Sequence, residues 1–126
     1  MIYKDIDNRG IKVLLKEDDV AISECKITIA NNIWNITEWF TAKGYMNQGY
    51  GKLVMKEAVN SLYEAYGMPE QIRYTWNGAN EYVFQWLERH FNPVPLNPPI
   101  IDSECDSWED HIYILDKVKL INFFKN

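Results

Sequence analysis

Through the first forty residues, apolar side chains recur at alternate positions in short runs separated by turn-forming clusters, which predicts half-buried strands in an antiparallel meander. Residues 2–6 and 11–15 flank Asn8-Arg9-Gly10, and a third strand over 20–30 follows the acidic turn Glu17-Asp18-Asp19. The clearest hairpin signal is Asn31-Asn32, set between 25–30 and 33–40, because asparagine tolerates the positive φ of a two-residue turn. From Gly51 the period becomes helical. Val54, Met55, Ala58, Val59, Leu62 and Tyr66 form an apolar stripe, with Lys52, Lys56, Glu57, Asn60 and Glu64 on the other face. Gly67 and Met68-Pro69 supply the stop.

A strand over 71–76 follows, then a second helix with Asn80 as its N-cap, running from Glu81 to about Arg89. Strand, helix and strand in this order predict a crossover joining parallel neighbours. Residues 91–110 have the character of a loop, with four prolines from Pro93 to Pro99 and the acidic run Asp102, Glu104, Asp106, Glu109, Asp110. Residues 111–115 and 118–121 predict closing β structure, and Phe123-Phe124 an apolar tail that packs down. The fold class is α+β (α/β): a mixed sheet with an antiparallel N-terminal meander, a β-α-β-α unit and closing strands.

Composition narrows the classes of function. At 126 residues, 47% hydrophobic and 14% aromatic, the chain suits one domain (1–126) with a core that needs no staples. The first residues alternate apolar with charged side chains, unlike a signal peptide. Charges interrupt every apolar stretch well before the ~20 residues of a membrane span. A soluble, cytoplasmic protein without membrane contact is expected, with Cys25 and Cys105 as reduced thiols. A net charge of −5 argues against nucleic-acid binding and accommodates an amine-bearing partner. Cys105 and His111 lack the second ligand pair of a metal site.

Chemistry concentrates in Tyr45-Met46-Asn47-Gln48-Gly49-Tyr50-Gly51-Lys52, between a strand and a helix, where glycines free backbone N–H groups to curl around an anion. A Walker A loop would need glycine at Met46 and serine or threonine at Leu53. A dinucleotide fingerprint would need glycine at Val54. Both nucleotide motifs are excluded.

Met46-Asn47-Gln48-Gly49-Tyr50-Gly51 resembles the acyl-CoA loop of the GNAT superfamily of N-acetyltransferases, Arg/Gln-x-x-Gly-x-Gly/Ala, with Met46 departing at the first position. A second family signature, Asn-x-x-Ala-x-x-x-Tyr-x-x-x-Gly-Phe, resembles the run from Asn80 to Phe91, where Val83 stands for alanine, Trp86 falls within one residue of the tyrosine and His90 replaces glycine. The resemblance covers about two-thirds of the chain.

It implies direct transfer of an acetyl group from acetyl-CoA to a primary amine on a small molecule, peptide or protein. The pantetheine arm would lie between splayed fourth and fifth strands, against backbone near Trp39, Phe40 and Thr41. Asn47, Gln48, Gly49, Tyr50, Gly51, Lys52 and Asn80 would complete the cofactor site, with Lys43 or Lys52 compensating for Met46. Such a reaction needs a base and an acid. Glu38 on the fourth strand is the candidate base, and Tyr82, one turn before Trp86, the candidate acid. The family's two helices between its first strands are replaced here by Asn8-Arg9-Gly10, which implies an open acceptor side. The rivals are a CoA-binding protein without catalysis and an interaction module on the same fold, with a homodimer as one option.

Overall fold

Paired residues in the left-handed region turn the chain sharply in its first half. Asp18 and Asp19 (φ 52° and 64°) and Asn31 and Asn32 (φ 52° and 60°) each close a two-residue hairpin. Gly10 lies so close to its neighbour strand that a Cβ would strike the Ile27 carbonyl oxygen, so only glycine fits there. The computed structural model describes residues 1–76, 81–96 and 111–125.

Four antiparallel strands follow from these turns: β1 (Ile2–Asp7), β2 (Gly10–Glu17), β3 (Val20–Ala30) and β4 (Ile33–Thr41). Helix α1 (Tyr50–Tyr66) then leads to β5 (Gln71–Trp76), which pairs parallel to β4 as the strand-helix-strand order predicts. Helix α2 (Glu81–Phe91) outlasts its expected end at Arg89 by one half-turn. A short β6 (Val94–Pro95), β7 (His111–Leu115) and α3 (Lys117–Phe124) complete the chain. Among the described residues the sheet has seven strands, in the order β1-β2-β3-β4-β5-β7-β6. The mixed sheet with its antiparallel meander matches the sequence-based fold class.

Two segments differ from the sequence reading. Residues 118–121 are helical, not a closing strand. Asp116 caps α3 by accepting a hydrogen bond from the Lys119 N–H (3.1 Å), and Leu120, Ile121 and Phe124 are buried on one helix face. The apolar run Val118, Leu120, Ile121 carries a strand-like composition, but the cap and the spacing to Phe124 favour the helix. Val94–Pro95, within the expected loop, pairs with Ile114 and Tyr113 at the sheet edge, where proline is tolerated.

The core lies between the sheet and one layer of helices. Met55, Val54, Ala58, Val59 and Leu62 of α1 are buried over β2, β3 and β4, as the apolar stripe predicts. Cys25 is buried beneath them, with its Sγ 3.7 Å from Met55 Sδ. Helix α2 covers β5 on the same face, where Phe84 stacks on Trp76 at 4.5 Å between ring centroids. Helix α3 packs against both α1 and α2. Among the described residues no helix covers the opposite face, which we call the outer face. None of these helices is long and apolar enough to cross a membrane.

Candidate active site

Strand β4 is the element that creates a site. Its first half pairs with β5 from Ile33↔Gln71 to Ile36↔Tyr74, and there the pairing stops. Beyond that point β4 continues to Thr41, bonded only to β3, while β5 runs on to Trp76 beside β7. The two strands therefore diverge, and a cleft of about 1020 Å³ fills the opening.

A bulge decides which side chains face the cleft. Ile27 pairs with Ile36, but Lys26 pairs with Glu38, so Thr37 is an extra residue in β4. A regular ladder would place Glu38 opposite Cys25, toward the helices. The bulge places Trp39 there instead and turns Glu38 and Phe40 to the outer face, both exposed. On that face Glu24 pairs with Phe40, next to the pair formed by Lys26 and Glu38. Glu24 and Glu38 both line the cleft.

The opposite mouth of the cleft, on the helix face, is built from the loop between β4 and α1. Gly49 is the N-cap of α1 in the left-handed region (φ 84°), with no side chain capping the helix and no acidic residue in its first turn. The first N–H groups of a 17-residue helix thus point toward the cleft without a side-chain acceptor. Lys43 and Lys52 line the same region. A Cβ on Gly51 would lie 3.2 Å from Thr41 Oγ1 and 3.5 Å from Trp39 Nε1, so glycine lets the end of β4 approach the helix closely. Trp39 Nε1–H donates to the Gly51 carbonyl (2.9 Å), while Ser23, fully buried, donates to the Phe40 carbonyl (3.0 Å) and bonds Thr41 Oγ1 (3.0 Å). These bonds lock the unpaired half of β4 in place. Tyr82 ties the loop to α2 by donating to Asn47 Oδ1 (2.7 Å).

Of the residues expected from sequence, Glu38, Trp39, Phe40, Thr41, Asn47, Gly49, Tyr50, Gly51, Lys52 and Tyr82 converge on the cleft. Gln48 instead turns back on the loop, its Nε2 donating to the Gly44 carbonyl at 3.5 Å. Asn80, the acidic run and Cys105 lie outside the described residues. Glu24 and Tyr74 are among the cleft residues that escaped the sequence reading. Glu24 gave no signal beyond strand alternation, because its proximity to Glu38 depends on the bulge. Tyr74 is buried to 4% exposure, and burial pushes its hydroxyl up to about 12. Burial likewise raises the Cys25 thiol far above its ordinary value, with Glu24 and Glu38 adding to the effect, so this thiol is not a nucleophile.

No protein-family model matches this chain, and no curated protein matches it in sequence. Its fold nevertheless has many solved counterparts. A GNAT-family acetyltransferase from Staphylococcus aureus Mu50 superposes with a TM-score of 0.61 at 16% identity, over 87% of this chain and 70% of that one. Nourseothricin acetyltransferase gives a TM-score of 0.62 at 14% identity, over 85% of this chain and 64% of the other. The PaiA N-acetyltransferase from Thermoplasma acidophilum, solved in complex with coenzyme A, gives 0.57 at 15% identity, over 82% of this chain and 58% of the other. With the antiparallel meander, the parallel β4–β5 pair and the divergence between them, this chain has the fold of the GNAT acetyltransferases.

Proposed function

We propose that this chain is an acetyl-CoA-dependent N-acyltransferase that moves an acetyl group to a primary amine by direct transfer. The observation that carries the reading is a cleft open to both faces of the sheet, with uncapped helix N–H groups at one mouth and two carboxylates at the other. The first mouth suits an anionic pyrophosphate and the second a cationic amine. Like charges at the two ends would not serve a reaction between such partners. The likeness to a structure solved with coenzyme A supports the cofactor class.

The residues present fit that cofactor. The N–H groups of the first turn of α1, beginning at Tyr50, would hold the pyrophosphate, with Lys43 and Lys52 neutralising its charge in place of the family's residue at Met46. The backbone of β4 from Trp39 to Thr41, unpaired toward β5, would bond the pantetheine amides as a missing strand would. When bound, acetyl-CoA supplies the activated acetyl thioester. On the outer face Glu38 takes a proton from the incoming ammonium and frees the nitrogen lone pair for attack. Tyr82, committed to Asn47, keeps the loop in the shape that exposes the helix N-terminus.

The uncovered outer face around Glu38 admits amines on small molecules, peptides or proteins. Nourseothricin acetyltransferase and the ribosomal-protein-S18-alanine N-acetyltransferase of Escherichia coli, both sharing the fold, are named for a small-molecule and a protein acceptor. A CoA-binding protein without turnover is the competing reading, favoured by Trp86, whose ring has no proton to give a leaving thiolate.

Calorimetry with acetyl-CoA, followed by free-thiol release over a panel of small diamines, aminoglycosides and lysine peptides, separates the readings. Binding and thiol release are expected. Glu38→Gln should lower kcat by about 10²–10⁴-fold while acetyl-CoA affinity holds, as for loss of a general base. Absence of acetyl-CoA binding would sink the proposal, and binding without thiol release would leave the non-catalytic reading standing.

A further inference from the structure

Tyr74 occupies the one position where the cleft meets the end of the β4–β5 ladder. Its pairing with Ile36 is the last before the strands part, and its pairing with Tyr113 fixes it from the other side. The residue is 4% exposed and lines the cleft, yet its hydroxyl has no hydrogen-bond partner among the described residues. Among the described residues, the unpartnered polar side-chain atoms that are fully buried are Trp34 Nε1 and Trp76 Nε1, and the Tyr74 hydroxyl is not among them, so it opens into the cleft and not into the core. A phenolic O–H that opens into the cleft with no partner in the protein is free to donate to a group that arrives with the ligand.

We propose that the Tyr74 hydroxyl is the hydrogen-bond donor to the acyl carbonyl oxygen during transfer, a catalytic residue on β5 rather than on the following helix. The inference rests on the acyltransferase reading above. As the amine nitrogen forms its bond to the acyl carbon, the carbonyl π pair moves onto oxygen, where the phenolic O–H meets the growing negative charge. The pair then returns, the carbon–sulfur bond breaks and sulfur leaves with its electrons. Of the two protons the ammonium must lose, one has gone to Glu38 and the second passes to the thiolate.

Donation to oxygen, not protonation of sulfur, is the role that suits this side chain. An ordinary thiol titrates at about 8.5, well below a phenol pushed to about 12, so handing the proton to the thiolate would run uphill. A donor to an oxyanion has no proton to surrender. Its high proton affinity keeps it in the donating form throughout the neutral range.

The test needs no knowledge of the acceptor. Isotope-edited infrared spectra of carbonyl-¹³C acetyl-CoA should show the carbonyl stretch displaced to lower frequency on the wild-type protein. In Tyr74→Phe most of that displacement should be lost, with acetyl-CoA affinity by calorimetry within about 3-fold, since an unmade bond to a neutral carbonyl contributes little net affinity. With any amine that the panel identifies, kcat should fall by about 10²–10³-fold, the size seen when one oxyanion donor is removed. A structural role would leave the stretch unmoved. The same carbonyl frequency in both proteins overturns the assignment and leaves the acyltransferase reading intact. Failure of the wild-type protein to bind acetyl-CoA overturns both.

Discussion

The two halves of β4 share one strand and have opposite fates. Residues Ile33 to Ile36 are hydrogen-bonded on both sides, and Trp34 and Ile36 are wholly buried. Residues 37–41, past the bulge, pair with β3 alone and present Glu38 and Phe40 to the outer face. The first half spends its backbone groups on the sheet and its side chains on the core. The second keeps one edge of its backbone and one row of side chains available. A sheet can offer backbone to a ligand only where a strand is missing, so the site lies where pairing ends.

This contrast is open to direct attack. Trp34→Ala removes the largest side chain of the paired half and should cost about 3–5 kcal/mol of stability, read by chemical denaturation. A loss below ~1 kcal/mol would mean that the paired half is not the structural anchor. Trp34 Nε1 has no hydrogen-bond partner among the described residues, so it is packing, not a polar bond, that this substitution removes.

The second test uses pH at the boundary between the halves. Tyr74 has an ordinary value of 10.0 and is raised to about 12 in the fold, so above pH 10 the unfolded chain releases a proton that the folded chain retains. Its contribution is full below pH 10 and is lost as pH rises toward 12, about 2–3 kcal/mol in all. Cys25, also raised, begins the same decline from its ordinary value of 9.0. Tyr74→Phe should make the decline between pH 10 and 12 shallower, leaving the Cys25 share that begins near 9. An unchanged curve would show that the phenol is as well solvated in the fold as in the unfolded chain.

The smallest expected effect belongs to the loop that continues from the unpaired half into α1. Gly49→Asp places a carboxylate at the anion-facing helix terminus and should weaken acetyl-CoA binding by about 10- to 100-fold, a repulsion of a few kcal/mol at most. Stability should fall by only about 1–2 kcal/mol, the strain of a side chain in the left-handed region. A collapse of the fold with this substitution would erase the distinction between a structural and a ligand-holding half.

Much of this was legible in the chain. Asn31-Asn32, the glycines at 49 and 51 and the stripe from Val54 to Leu62 act through local rules of turn and helix, so the meander, the loop and α1 could be placed from residues alone. Residues 118–121 were expected as a strand because a short apolar run suits strand and helix equally, and the cap at Asp116 acts only once Lys119 turns back onto its carboxylate. Glu38 was found, but its direction was not, since strand alternation loses its meaning at a bulge.

What the sequence determined by itself is therefore everything set by near neighbours: turn chemistry, helical period, and the glycine-bearing entry to α1. Tertiary structure alone decided three things, namely the bulge at Thr37, the end of pairing at Ile36 and Tyr74, and the opening of the Tyr74 hydroxyl into the cleft. Each depends on contacts between β3, β4 and β5, segments brought together only when the sheet closes. No local pattern records whether a tyrosine hydroxyl will end in the core or in a cleft.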